Sequence, residues 1–84
     1  MLNMPCNVGD IIYVVKNNEV LEFEIDCIKI WKNHITVHGY RQLKTGEKYR
    51  VPREYNLKYF GKRIIFATRE EAISWLFKRL KADD

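Results

Sequence analysis

Two cysteines, two histidines, one serine and a short row of carboxylates are the side chains in this 84-residue chain whose types invite chemistry. Cys6 and Cys27 lack the CxxC spacing of thiolate metal sites, so two reduced thiols are the expectation in a reducing compartment. His34 and His38 fall four residues apart on a segment that reads as a strand, which separates their Cα atoms by about 13 Å at roughly 3.3 Å per residue. One zinc ion cannot bridge that span. Ser74, the only serine, lies in a helical segment with no histidine at a suggestive spacing, and neither a GxSxG elbow nor a phosphate-binding glycine loop is present. Glu22, Glu24 and Asp26 have the alternation of paired carboxylates, but alternating acids on a strand are the ordinary solvated face of a half-buried sheet. These residues predict no catalysis, no metal and no cofactor.

Charge is the stronger clue. The formal net charge is +4, yet residues 41–63 carry Arg41, Lys44, Lys48, Arg50, Arg53, Lys58, Lys62 and Arg63 against only Glu47 and Glu54. The first forty residues are slightly acidic and the last twenty-one balanced. Tyr40, Tyr49, Tyr55, Tyr59 and Phe60 are interleaved with the cations, a composition that single-stranded nucleic-acid sites use for phosphate contact and base stacking. The candidate electrostatic face is therefore Tyr40, Lys48, Arg50, Arg53, Lys58 and Lys62, suited to nucleic acid or to an acidic protein. No RNP, KH or helix-turn-helix signature accompanies it.

The elements that must position these groups follow from periodicity and turn chemistry. Strands are expected at about 10–16, 20–31, 34–43, 47–52 and 63–67, with a helix at about 69–82. The continuous apolar run Ile11 to Val15 reads as a strand covered on both faces. In the second strand Leu21, Phe23 and Ile25 share one face, but Ile28 and Ile30 have the opposite parity, which predicts a β-bulge near Asp26 and Cys27. Parity also selects a three-residue loop, Lys44-Thr45-Gly46, with Gly46 in the left-handed position; it places Ile35, Val37, Leu43, Tyr49 and Val51 on the core face. The stretch from Pro52 to Gly61 reads as irregular or a single helical turn. Thr68 and Glu71 form a capping box, and Ile73, Leu76, Phe77 and Leu80 make the apolar stripe of the helix that follows. That stripe leaves Trp75 pointing away from the core among Glu71, Lys78 and Arg79, as an anchor for a protein partner, unless the N-terminal segment with Leu2 and Met4 covers it.

The expected class is α+β: one domain over 1–84, a curled antiparallel β-meander of four to five strands forming a small half-barrel, with one C-terminal helix packed on it. The apolar run Ile11 to Val15 is far short of the roughly 20 residues that span a bilayer. Met1 to Pro5 has neither a basic nor an apolar leader region, so a cytoplasmic address is expected.

The order Gly9-Asp10-x-Ile12-Tyr13, Val20-x-Glu22 and Ile28-x-Ile30, closing with Gly61-Lys62-x-Ile64-Ile65-Phe66-Ala67-Thr68-Arg69-Glu70-Glu71-Ala72, resembles small uncharacterised proteins carried by phages and mobile elements of Gram-positive gut bacteria. Those proteins end in a similar GK-x-V-F-x-T-x-EEA strand-to-helix junction. The likeness covers most of the chain loosely and is most specific in its tail. It implies a protein of the bacterial host cytoplasm that binds and blocks a larger machine, as anti-CRISPR and related anti-defence inhibitors do, and it names no catalytic residue. The basic region 41–63 and the Trp75 face depart from the usual acidic, plain-helix pattern.

The leading expectation is thus a non-catalytic inhibitor of a host defence machine such as a CRISPR effector nuclease. Trp75, Lys78, Arg79 and Glu71 would contact the protein partner. An accessory single-stranded nucleic-acid-binding module is the first alternative, and a structural or oligomer-forming phage component the second; a monomer and a homodimer are both compatible with the sequence.

Overall fold

The computed structural model describes residues 5–43 and 45–82. Ile11–Lys16 (β1), Glu19–Ile30 (β2), Ile35–Gln42 (β3), Lys48–Arg50 (β4), Tyr55–Asn56 (β5) and Ile65–Phe66 (β6) form one antiparallel sheet, followed by the helix α1, Arg69–Ala82. The spatial order is β4-β3-β2-β1-β6, and β5 pairs with the same edge of β3 that β4 uses. This is the expected α+β class, a curled meander that does not close, with a single C-terminal helix.

Local chemistry explains the hairpins. Asn17 and Asn18 both take positive φ, 53° and 61°, the pair of left-handed residues a two-residue type I′ turn requires, and Lys16 pairs with Glu19 across it. At the end of β3, Leu43 N–H donates to Glu47 O at 2.8 Å and Gly46 N–H to Leu43 O at 2.9 Å, while Gly46 takes φ 89°. Three residues therefore separate the strands, as parity demands.

The register of β2 against β3 shifts between Ile25 and Cys27, which is the anticipated bulge. Its extra residue returns Ile28 to the core side, opposite Val37. Gly39, paired with Ile25 beside the bulge, lets the two backbones approach so closely that a Cβ there would lie 1.9 Å from Glu24 O. The bulge and the missing side chain together curl the sheet.

The concave face buries Ile12, Val14, Phe23, Ile25, Val37 and Ile65 with Cys6, and Val51, Tyr55, Leu57, Tyr59, Phe60 and Ile64 pack over them. The segment 52–64 is thus a lobe that covers this face, containing β5 and a single 3-10 turn, Leu57–Tyr59. The helical turn was expected; β5 was not. It forms because β4 stops before Pro52 and leaves the first half of β3 unpaired, so the chain returns to put Asn56 opposite Thr36 and Tyr55 opposite Val37. Three residues assigned to the core by parity are solvent-exposed: Ile30, at the end of β2, Leu43, just past the end of β3, and Tyr49, on the short edge strand β4.

The helix lies on the convex face, over β1 and β6. Tyr13 and Phe66 pair there, and the helix half-covers the convex side of β1 at Tyr13 and Val15; Ile11 stays exposed, so the strand is not covered along its whole length on both faces as its apolar run implied. Thr68 caps α1 by accepting from Glu71 N–H at 3.2 Å. The roll of the helix differs from the expected one. Ala72 is fully buried, Trp75 and Leu76 are half-buried, and Ile73, Phe77 and Leu80 face solvent. The reason is Phe66, whose ring stands out of the convex face: Ala72 is small enough for close approach beside it, and Trp75 supplies the area to cover it. The expectation that Trp75 points away from the core is corrected accordingly. The idea that Leu2 and Met4 cover that face lies outside the described residues. Among the described residues no helix is long and apolar enough to cross a membrane.

Candidate binding surfaces

The six residues of the expected electrostatic face divide between two places. Tyr40, Lys48 and Arg50 stand on the convex face of β3 and β4, where the acids of β2 also point. Lys48 Nζ is 2.9 Å and 3.0 Å from the two carboxylate oxygens of Glu24. Arg50 Nη1 donates to Asp26 Oδ2 at 3.0 Å and to Tyr40 Oη at 3.2 Å, with its guanidinium over the Tyr40 ring. The hydrogen bonds to Asp26 and Tyr40 hold the Arg50 pKa above its ordinary value. A third bridge, Arg69 to Glu22 at 3.4 Å, ties α1 to the same row. The acidic row is therefore the counter-charge of the basic strand. Each such exposed pair contributes little stability, but together they cancel the charge that Lys48 and Arg50 would otherwise present.

Arg53, Lys58 and Lys62 lie instead on the lobe, together with Arg63. The lobe is shaped by its own hydrogen bonds: Asn56 Oδ1 accepts from Lys58 N–H at 3.0 Å to start the 3-10 turn, and Tyr59 O accepts from both Lys62 N–H and Arg63 N–H. These bonds set two cations against one ring, with Lys58 Nζ 4.9 Å and Arg63 Cζ 5.2 Å from the Tyr59 centroid. Arg53 lies 5.8 Å from the ring of Tyr55, which in turn meets Phe23 edge-on at 5.3 Å. Burial raises the Tyr55 hydroxyl pKa, with Arg53 acting against it. Among the described residues no carboxylate is within ion-pairing distance of Arg53, Lys58, Lys62 or Arg63. Glu54, the acid of the lobe, is turned toward His38.

The expected protein-contact residues on α1 also separate. Trp75 packs on Phe66 and belongs to the helix–sheet junction, while Arg79 is exposed, 5.3 Å over the Trp75 indole. Glu71 and Lys78 remain exposed beside a shallow depression that Gly61, Phe66, Ser74 and Trp75 also line.

A polar cluster that the sequence did not announce occupies the other end of the convex face. Trp31 Nε1–H donates to the buried Thr36 hydroxyl at 2.9 Å, and His38 Nε2 lies 3.2 Å from both Thr36 Oγ1 and Glu54 Oε2. His34 is stacked on Trp31, centroids 5.7 Å apart. The two histidines serve different neighbours. The one available signal was parity, which puts Thr36 and His38 on one face; their link to Glu54 depends on the unforeseen β5. Cys6 and Cys27 are free thiols, and among the described residues no three His, Cys, Asp or Glu side chains converge on a metal position.

Comparison with known proteins gives no match to the chain, whether with family models, curated proteins or solved structures.

Proposed function

We propose that the chain is a non-catalytic protein-binding module of the phage-borne inhibitor kind, which occupies an acidic surface on a larger host protein such as a nuclease effector. The observation that carries this reading is the separation of the cations. Lys48 and Arg50 are neutralised within the sheet, whereas Arg53, Lys58, Lys62 and Arg63 are gathered on one loop lobe, three of them beside aromatic rings, and among the described residues none is ion-paired, the lobe's Glu54 being turned to His38. Such a lobe attracts negative charge from outside the molecule, over a range of about 8 Å at physiological salt.

The same geometry weighs against the single-stranded nucleic-acid alternative. Its stacking platforms are already engaged: Tyr40 under Arg50, Tyr55 against Phe23, Tyr59 between two cations and Phe60 on the core. Only Tyr49, 45% exposed, remains among the rings of the basic segment as a free surface.

A zero-length carbodiimide tests the reading, because it joins lysine amines to carboxylates in direct contact. Treatment of host lysate containing the protein should couple Lys58 and Lys62 to acidic residues of one recurrent protein, and Lys58→Glu with Lys62→Glu should abolish that adduct. Salt-sensitive binding of an unstructured oligonucleotide, tighter than any protein adduct and lost in the same variant, would establish the nucleic-acid alternative instead.

A further inference from the structure

The outward side of α1 carries Ile73, Phe77 and Leu80, spaced i, i+4, i+7, with exposures of 38%, 67% and 45%. An aliphatic and aromatic stripe of this kind is what helices ordinarily turn toward a core. Here the core side is taken by Ala72, Trp75 and Leu76, so the stripe has no counterpart within the described residues. We infer that its counterpart is a second copy of this chain, bound through α1 in antiparallel orientation.

Three features of the helix select that occupant. Charge is the first. Glu70 begins the exposed face and Lys81 ends it, eleven residues later and about 16 Å along the axis. In an antiparallel pair each Glu70 meets the Lys81 of the other copy, and twofold symmetry makes the contact twice. A parallel pair would bring like charges and like helix ends together. Shape is the second. The register that joins Glu70 to Lys81 also places Ser74, the smallest residue of the face, opposite Phe77, the largest. A shallow depression bounded by Ser74, Phe77, Lys78, Leu80 and Lys81 is available for the incoming Phe77 ring. The third is polarity along the helix: Glu70 and Glu71 occupy the first turn, Arg79 and Lys81 the last, so the ends of two antiparallel copies attract. This surface is separate from the basic lobe, and the inference does not rest on the lobe's function.

One helix face is a small interface, at or below the low end of specific protein contacts, so the dimer is weak and reversible. Sedimentation equilibrium from about 10 μM to 500 μM tests it. The expected result is a monomer–dimer equilibrium that Phe77→Ser weakens at least about tenfold, since it removes the central anchor. Glu70→Lys alone and Lys81→Glu alone should each weaken it about five- to tenfold, because like charges then meet at both ends. The double variant Glu70→Lys/Lys81→Glu should restore it, a rescue specific to the antiparallel register. Far-UV circular dichroism of each variant establishes that the helix persists. A chain that stays monomeric throughout this range, a dimer indifferent to Phe77→Ser, or single charge variants that the double variant fails to rescue would each overturn the inference.

Discussion

Trp75 lies against Phe66 with ring centroids 5.8 Å apart and planes inclined at 45°, and this contact sets the roll of α1 on the sheet. Phe66 is 3% exposed although it stands on the convex side, away from the main core. Its burial therefore comes from the helix. The junction is a second apolar layer, and the residues that build it are Phe66, Ala72, Trp75 and Leu76 rather than the more hydrophobic stripe next to them.

Trp75→Ala is expected to destabilise the protein by about 2 kcal/mol, the range for deleting a large, partly buried aromatic side chain. Phe77→Ser, on the solvent side, should change monomer stability by less than about 0.5 kcal/mol. Urea unfolding at a protein concentration below dimer formation measures both. Equal losses for the two variants would mean that the helix is rolled toward its aliphatic stripe after all.

Gly39→Ala should be far more damaging than Gly46→Ala. At position 39 the new methyl would meet Glu24 O at 1.9 Å and the Phe23 ring at 3.1 Å, both held by the sheet, so a loss of about 3 kcal/mol or failure to fold is expected. At position 46 the methyl meets nothing within 4 Å and only the φ of 89° opposes it, a cost of about 1 kcal/mol. Thermal melts of the two variants side by side give the comparison, and a mild Gly39→Ala would show that the curl does not depend on that close approach.

Alkaline pH should weaken the fold. Burial raises the Cys6 thiol above its ordinary 9.0, with the negative charge of Asp10 adding to the effect, and burial raises Tyr55 above 10.0. Both groups hold their protons more tightly in the folded chain than in the unfolded one. Their contribution is thus complete below about pH 9 and is lost as pH climbs through the folded pKa values. The urea midpoint should fall between about pH 8.5 and 10.5, and Cys6→Ala should remove the earlier part of that fall. A midpoint that rises across the interval would contradict the sign.

Much of the sheet was legible from the order of residues because it is set by neighbours in sequence. The bulge follows from the parity of Ile28, the tight first turn from Asn17 and Asn18, the longer third turn from Gly46, and the cap from Thr68. What could not be read depends on groups brought together from afar. Lys48 and Arg50 are each twenty-four residues from the acids that neutralise them, so a tally of charge along 41–63 overstated the surface potential of β4. The helix roll was misread for a related reason. Periodicity ranks residues by hydrophobicity, while the outcome depended on Phe66, whose outward orientation becomes fixed only when β6 pairs with β1.

That pairing is slight. Val14 and Ile65 face each other, Tyr13 and Phe66 do the same, and Val15 N–H reaches Ile64 O at 2.7 Å. Through these few bonds the chain connects two otherwise unrelated parts, the basic lobe that precedes β6 and the helix that follows it. Lobe and helix are thus both tied to β6, although β5 also fixes the lobe to β3 and the helix also rests on β1. A change at β6 is therefore felt at once by the first turn of the helix and by the end of the lobe, while β5 keeps the lobe's start on β3.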